Sequence, residues 1–312
     1  MLNPFCFFKI NTVWSSFYKR MKRLFTLLLI SCSVATAFGQ KSVDAGIMIG
    51  ASNYIGELSP TATSNYHFAF GLVGRYNIND HFSLKGSAFY GHISGADSLQ
   101  TKQDLRNRNL SFKSFLFEFS AEVEWNLWAF DPVGRNGKKA FTPFAFIGIG
   151  VYKYNPLAYF ANPLTGKKQW VELQPIGTEG QGTTQFQDRK KYALTQVSFP
   201  IGGGFKVRVA RGWTLAVEYG LRKTYNDYLD DVSTTYVEPD ILDQNYGTLK
   251  DGGYSSVLAD RSSQEVKNSR TYDPLTFKGG TRGNPKTKDW YAYGGITITY
   301  TIFGNRVKCF KF

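Results

Sequence analysis

Hydrophobic and polar residues alternate along residues 115–127, which read FLFEFSAEVEWNL, with Leu116 as the one apolar residue at an even position. The odd positions from Phe115 to Leu127 are all apolar, whereas three of the even positions are Glu118, Glu122 and Glu124. Successive side chains of a β-strand point to opposite faces, so this stretch predicts a strand with one apolar face and one acidic face. The pattern fits a soluble sandwich, or an outer-membrane barrel whose apolar face meets lipid.

The same period of two recurs in seven further segments. With the first, the predicted strands are residues 43–54, 67–76, 82–90, 110–128, 141–152, 193–208, 213–222 and 296–302. Eight strands are enough to close a small barrel that leaves no exposed edge. Pro200 lies inside the sixth strand and cannot donate a ladder hydrogen bond, so we expect a β-bulge there.

The connections between these strands alternate in length. Short turns at 77–80, 131–139 and 211–212 are separated by long stretches at 94–108, 155–189 and 225–289. Outer-membrane barrels combine short periplasmic turns with longer outer loops, whereas a sandwich has no reason to alternate in this way. Aromatic residues near the strand ends suit the two membrane interfaces: Tyr76, Phe82, Tyr90, Trp125, Trp128, Phe141, Trp213, Trp290 and Tyr291. The sequence therefore predicts an all-β fold, an eight-stranded antiparallel transmembrane barrel with long extracellular loops.

The N-terminal region predicts export. Residues 21–23 are basic, residues 24–30 are apolar, and small residues follow up to Gly39, which is the pattern of a secretory signal peptide. We therefore expect a signal peptide at 21–39, a non-native upstream extension at 1–20, and one outer-membrane barrel domain at 40–312. Residues 29–32 also resemble a lipoprotein box, so lipidation at Cys32 stays an alternative.

Charge and cysteine content narrow the function further. The net charge is +13, and the five basic residues before residue 40 leave residues 40–312 near +8. Only Cys309 follows the predicted signal peptide, so we expect no internal disulfide and no cysteine-based metal site. An exported chain without a basic recognition motif is not expected to bind nucleic acid. We predict no cofactor.

Charged residues share the face opposite the apolar one. The predicted luminal charge network is Glu118, Glu122, Glu124, Glu218, Arg75, Lys85, Lys206, Arg208 and Arg222. Opposite charges in a narrow lumen should pair, because an unpaired buried charge is costly. A barrel of eight strands is filled by side chains, so we expect a structural plug rather than a pore. A charged ligand cavity is the alternative.

Five short segments carry a resemblance to a known family. They are YIGEL at 54–58, GIGVYKYNP at 148–156, LQPIGTEGQG at 173–182, FPIGGGFK at 199–206 and DYLDDVSTTY at 227–236. Together they resemble the outer-membrane barrel family that includes PorG, a component of the type IX secretion system. The resemblance runs from about residue 43 to the C-terminus, and DYLDDVS is its most specific part.

This resemblance implies a non-enzymatic barrel that associates with the periplasmic ring of that system, made of a lipoprotein and its partner protein, and that supports protein export. Contact with such a ring must come from the periplasmic side. The longest turn there, 131–139, holds Arg135, Lys138 and Lys139, which could meet an acidic surface. An ordinary solvated turn is the alternative, as is a structural or adhesive barrel that acts through its outer loops.

Two other patterns admit a chemical and a structural interpretation. Asp227, Asp230 and Asp231 could supply oxygens to calcium, but their spacing lacks the EF-hand pattern, and loop hydrogen bonding is the simpler interpretation. The glycine-rich segment 177–182 could cradle an anion, but no strand–loop–helix context supports phosphate binding, and a tight turn is the simpler interpretation. The loop 225–289 is acidic early and mostly basic later, so its halves could pair with each other.

An enzyme is the contrary hypothesis. His92-Ile93-Ser94 resembles the His-x-Ser element of barrel lipid A deacylases. A serine nucleophile needs a base beside its hydroxyl and a third group that orients the base. The next strand offers only apolar residues on the same face, and the other histidines are His67, predicted to be luminal, and His81, at a turn. We therefore expect no catalytic residues.

Overall fold

The structure, a computed structural model, describes residues 42–59, 65–134 and 139–304. Eight antiparallel strands form a barrel, and three short strands lie in the long loops. The barrel strands are β1 (Ser42–Ile55), β2 (His67–Asn77), β3 (Phe82–Ala96), β4 (Ser111–Asn126), β5 (Phe141–Ala161), β7 (Thr195–Ala210), β8 (Trp213–Thr224) and β11 (Trp290–Gly304). The loop strands are β6 (Lys168–Glu172), β9 (Thr235–Val237) and β10 (Lys278–Thr281). The predicted signal peptide, the upstream extension and Cys32 lie outside the described residues.

The barrel closes completely. Its strands follow the order β4, β3, β2, β1, β11, β8, β7, β5, and β4 pairs with β5 to complete the ring. The first and last strands are neighbours, with Ser42 opposite Gly304 and Ile47 opposite Ile298. Both described ends of the chain therefore lie at the short-turn end, which faces the periplasm in barrels of this class. The predicted eight-stranded antiparallel barrel is confirmed.

The two faces of the barrel wall differ as the alternation predicted. Outward side chains such as Leu72, Ile147 and Val217 are 65%, 59% and 54% exposed, whereas inward Glu118 is 0% exposed. An apolar belt around a closed ring of hydrogen-bonded strands is what a bilayer requires, because lipid offers no partner to an open strand edge. The chain is a transmembrane barrel of the outer membrane. Within the described ranges, none of the helices has the length and apolar character needed to cross a membrane.

Aromatic rings mark both rims of this belt. Trp213 packs on Tyr300 near the short turns, with ring centroids 5.0 Å apart, and Phe199 packs on Tyr225 near the long loops, at 5.4 Å. The prediction that Tyr291 lies at a membrane interface is wrong. Tyr291 is 0% exposed and bonds Glu118 inside the barrel, because its odd position in β11 has the luminal parity.

The prediction of a β-bulge at Pro200 is also wrong. Pro200 pairs in register with Arg222 of β8, and the register between β5 and β7 is the same on both sides of it. The ladder to β5 omits Phe199 and Pro200, so the missing N–H interrupts pairing without inserting a residue. The irregularity in β7 lies between Arg208 and Ala210 instead.

Several strands continue past the lipid, where the sequence pattern changes. β5 runs to Ala161, and its upper inward residues Tyr152, Tyr154 and Phe160 are buried. They pack under the loop cap, which we define as residues 162–194 and 225–289. Besides its three strands, the outer region contains the helices Gln103–Arg108, Leu173–Ile176, Pro239–Tyr246, Ser255–Ala259 and Gln264–Ser269, with 3₁₀ turns at Asp97–Leu99 and Leu249–Asp251. The loop cap is a folded layer over the barrel mouth.

Candidate functional site

Ion pairs fill the lumen at the level of the apolar belt. Lys85 Nζ lies 2.9 Å from Glu122 and 3.0 Å from Glu218, and Arg75 Nε lies 3.1 Å from Glu124. The other pairs are Arg75 with Glu218 at 3.7 Å, Arg222 with Glu118 at 3.5 Å, and Lys206 with Glu124. Every member of these pairs is buried. Eight of the nine residues assigned to the luminal network from the sequence thus meet one another.

Arg208 is the exception. It is the last inward residue before the β7–β8 turn, below the level of the carboxylates. Its guanidinium donates a hydrogen bond of 2.6 Å to the carbonyl oxygen of Asp131 and lies beside Gly134. Arg208 therefore contacts the segment 131–134 at the periplasmic end of the barrel, outside the ion network.

Aromatic rings take up the space beside these charges. Lys85 Nζ lies 4.3 Å from the ring centroid of Phe146, and Lys206 Nζ lies 4.8 Å from that of Phe144. Such cation–π contacts add to the ion pairs in a desolvated interior. Charged and aromatic side chains from opposite strands thus meet inside the lumen, which fits the plug interpretation better than a ligand cavity.

The loop cap is organised around one buried glutamate, Glu179, which is 0% exposed. Its carboxylate accepts hydrogen bonds of 2.9 Å from the backbone N–H groups of Ser233 and Thr234 and another from Arg282 Nη1. Bonds from backbone N–H groups and a guanidinium to an ionised carboxylate are among the stronger hydrogen bonds in proteins. Glu179 thereby ties the segment 173–182 to the segment 227–236.

A left-handed turn places Glu179 in this position. Gly177, Gly180 and Gly182 have φ values of +55°, +81° and +82°, a region that favours glycine over residues with a side chain. Of the two interpretations of this glycine-rich segment, the tight turn therefore fits the structure. The carboxylate of Glu179 lies within this segment, and a buried negative charge disfavours the binding of an anion there.

Asp231 is the second buried acid of the loop cap. Its carboxylate accepts hydrogen bonds from Thr178 Oγ1 and, at 2.8 Å, from Tyr192, and lies 3.7 Å from Arg282 Nη2. Burial raises the pKa of Asp231 to about 6, although Arg282 opposes that shift. With Arg282, Asp231 joins the early acidic part and the later basic part of the loop 225–289, which are thus partly paired with each other.

A group of four carboxylates lies at the barrel mouth beneath the loop cap. Tyr54 Oη is 2.6 Å from Asp230 Oδ2 and 2.9 Å from Asp289 Oδ1. One oxygen from each of Glu57, Asp227 and Asp289 lies within 4.8 Å of the other two. We call Glu57, Asp227, Asp230 and Asp289 the mouth acids. They come from two connections of the barrel: Glu57 from the β1–β2 connection, and the three aspartates from the two ends of the long loop between β8 and β11.

Burial disfavours the charged form of every mouth acid. It raises the pKa of Glu57 to about 7 and the pKa values of Asp227, Asp230 and Asp289 above their usual range. Repulsion among the carboxylates adds to the effect for Glu57, Asp230 and Asp289. Two cations oppose these shifts: Lys288, whose Nζ lies 4.0 Å from Asp227 Oδ1, and Arg108, which acts on Glu57 and Asp230. The pKa values of the mouth acids are nevertheless raised.

Sequence reasoning found only part of this arrangement. It identified Asp227, Asp230 and Asp231, but not Glu57, Glu179, Asp289 or Arg282. Glu57 and Glu179 lie inside two of the segments that carry the family resemblance, and this position could have marked them as candidate site residues. Asp289 carried no signal, because its partners are 60 or more residues away in the chain.

The residues proposed to contact a partner are placed only in part. Lys139 is exposed, and its Nζ lies 4.2 Å from the ring centroid of Trp128. Arg135 and Lys138 lie outside the described residues.

The histidines do not form the arrangement considered for an enzyme. His92 Nε2 lies 3.5 Å from Tyr90 Oη, while Ser94 Oγ bonds His67 Nε2 at 2.7 Å. The register partner of Ser94 is Lys113 on β4. Among the described residues, no carboxylate bonds His67 to orient it as a base. His67 keeps its predicted inward parity but lies at the outer rim, half-buried at the start of β2.

Comparison with known proteins gives limited matches. A family model described as a domain of unknown function, DUF6089, matches residues 22–172. No curated protein matches the sequence significantly. Three solved structures cover 84–85% of this chain and at least 98% of their own. Neisserial surface protein A is 9% identical to this chain, with a TM-score of 0.38. The attachment invasion locus protein Ail of Yersinia pestis is 8% identical, with a TM-score of 0.34. The outer membrane protein OprG from Pseudomonas aeruginosa is 9% identical, with a TM-score of 0.33. At these scores, it is the closed strand order of the chain itself that shows the fold.

Proposed function

We propose that this outer-membrane barrel is not an enzyme and supports type IX protein secretion by associating with the periplasmic ring of that system. The observation that carries the proposal is the contact of Glu179 with Ser233 and Thr234. It joins two of the segments through which the chain resembles the PorG-containing family. A third segment joins them through the bond between Tyr54 and Asp230. Three of the segments that carry the resemblance are therefore in contact with one another at the barrel mouth.

The filled lumen supports a role at the surface of the barrel rather than a transport path through it. Lys85 and Glu218 meet across the interior, and the loop cap covers the outer mouth. A protein that offers no conduit contributes to secretion by anchoring or positioning other components. Among the residues that the structure describes, no carboxylate bonds His67 of the Ser94–His67 pair as the third group of acyl-transfer chemistry, which supports a non-enzymatic role.

Site-specific crosslinking tests this proposal from the periplasmic side. Photoreactive residues at Lys139 and Arg211, both exposed on short turns, should capture the ring lipoprotein in cells that possess the system. Gly134 is a poor position, because its φ is +79° and an added Cβ would lie 3.0 Å from the Arg208 guanidinium carbon. A probe at Leu275, 87% exposed in the loop cap, is the matched control and should capture no ring component.

A second candidate function is adhesion or another surface role of the loop cap. It is favoured by the position of three of the five resemblance segments, 54–58, 173–182 and 227–236, which meet at the outer mouth and not at the periplasmic turns. Capture of proteins from the Leu275 probe alone, with normal export of secretion cargo in a deletion strain, would support this function and contradict the secretion role.

A further inference from the structure

The mouth acids have a geometry that suits a metal ion. The closest three, Glu57, Asp227 and Asp289, each present an oxygen within 4.8 Å of the other two. A calcium ion holds oxygen ligands at roughly 2.3–2.6 Å, so two ligands on opposite sides of one ion lie up to about 5 Å apart. One ion could therefore contact all three carboxylates.

One oxygen of these three carboxylates is buried without a hydrogen-bond donor among the described residues. Asp227 is 4% exposed; its Oδ2 accepts a bond of 2.6 Å from Ser233 Oγ, whereas its Oδ1 accepts none. Lys288 Nζ, at 4.0 Å, is beyond hydrogen-bond distance from Oδ1. A buried carboxylate oxygen without a partner is costly, and a bound cation would remove that cost.

Other residues hold the remaining oxygens in place. Asp289 Oδ2 accepts a bond of 3.0 Å from the backbone N–H of Leu229, and Glu57 Oε1 accepts one of 2.9 Å from that of Asn284. Tyr54 lies between Asp289 and Asp230 and carries a single hydroxyl proton, so it can donate to only one of them. Supporting bonds of this kind orient the ligands of metal sites.

An access route reaches this point from outside. A cleft of about 550 Å³ is lined by Glu57, Arg108, Arg282 and Asn284 among others. Glu57, the half-buried member of the three, borders both the cleft and the acid group. An ion could enter here without unfolding of the loop cap.

We propose that Glu57, Asp227 and Asp289 form a calcium-binding site that fastens the β1–β2 connection to the two ends of the long loop before β11. Ligands that are all carboxylate oxygens favour a hard cation over zinc or copper. The ligands come from three separate points of two irregular loops, and such an arrangement suits the variable geometry of calcium better than the strict octahedron of magnesium. Water would complete the shell, so the affinity should resemble that of weak extracellular sites, roughly 10⁻⁴–10⁻³ M.

Calcium titration of the purified full-length chain in detergent tests this site. After chelation, isothermal titration with calcium chloride should show one saturable site, with thermal stabilisation of the loop cap. Asp227→Asn should weaken binding at least about tenfold, as expected when a charged ligand is lost. Asp104→Asn, an exposed acid on the rim of the same cleft, should change it less than about twofold.

Two outcomes would overturn the proposal. One is no saturable binding by the unaltered chain up to about 10 mM calcium, above the range of weak extracellular sites. The other is unchanged affinity in Asp227→Asn. Glu57→Gln is the second variant, because its half-exposed side chain can be altered with less risk to folding. Heat-modifiable gel mobility shows whether each variant has folded.

Discussion

Lys85 Nζ lies 3.0 Å from Glu218 Oε2, although Lys85 belongs to β3 and Glu218 to β8. These strands are four steps apart in either direction around the ring of eight, so the ion pair joins opposite walls of the barrel. Arg75 and Lys206 bond Glu124 beside it. Opposite walls of the barrel are thus joined by a network of side chains that stabilise one another.

Removal of one luminal carboxylate should destabilise the barrel. Glu124→Leu leaves Arg75 and Lys206 without their shared counter-charge, and a broken buried pair costs about 3–5 kcal/mol. Urea unfolding of the refolded protein measures this loss. Thr214→Val is the control, because Thr214 Oγ1 is buried without a partner, so loss of its hydroxyl should cost little. Equal losses in both variants would contradict the luminal network.

A positive charge on the lipid face should impair assembly. Val217 is 54% exposed on the apolar belt, and Val217→Arg should cost about 2–4 kcal/mol near the bilayer midplane. Ile298→Arg should behave alike, because Ile298 faces the same side of the neighbouring strand. The readout is the folded fraction in membranes, by heat-modifiable mobility. Val217→Leu and the inward Thr299→Ser should assemble normally; equal tolerance of all four would contradict the assignment of faces.

Much of this architecture could be predicted from the alternation, because lipid outside and ion pairs inside impose opposite chemistry on neighbouring positions. The same rule fails above the membrane. There the inward residues of β5, such as Tyr152 and Tyr154, belong to a hydrophobic core under the loop cap and no longer face the luminal ion pairs. The sequence therefore predicted where strands cross lipid but not how far they extend.

The mouth acids could not be predicted as a group. Glu57, Asp230 and Asp289 are far apart in the chain and meet only because β1 and β11 are neighbours in the closed ring. Helices in the loop 225–289 were also missed, because they are short and stabilised by packing of the loop cap rather than by a long amphipathic repeat. The bulge predicted at Pro200 is absent because a strand can lose one backbone N–H donor without the insertion of an extra residue.

Neutralisation of Glu179 should loosen the loop cap and leave the barrel intact. Glu179→Gln removes the charge that pairs with Arg282. It also replaces one of the two carboxylate oxygens, each of which accepts a backbone N–H bond, with an NH₂ group that cannot accept. Limited proteolysis should cut within 225–289 at least about tenfold faster, equivalent to about 1.4 kcal/mol of local stability. Glu172→Gln, an exposed glutamate of β6, is the control and should be cut like the unaltered protein. Unchanged proteolysis of Glu179→Gln would contradict the organising role of Glu179.

The stability of the loop cap should depend on pH through Asp231. Its pKa in the folded protein is about 6, above the usual 3.8, so this carboxyl binds its proton more tightly in the folded state. Its contribution is fully present below about pH 4 and is lost as the pH rises through about 6.

Asp231→Asn should remove this contribution. The residue has φ of +66°, which asparagine tolerates, and the amide oxygen can still accept bonds from Thr178 and Tyr192. The difference in proteolytic stability between the unaltered protein and the variant should therefore change between about pH 4 and pH 6 and stay constant above that range. A difference that is constant from pH 4 to pH 8 would contradict a raised pKa for Asp231.

Electrical recording in planar bilayers tests the closed lumen most directly. The purified barrel should insert without a steady ionic current, because Lys85, Glu218, Arg75 and Glu124 fill its interior. Insertion is verified independently by protease protection in matched vesicles. A steady open-channel current from most inserted molecules of the unaltered protein would contradict the claim that side chains fill the lumen and leave no path for ions.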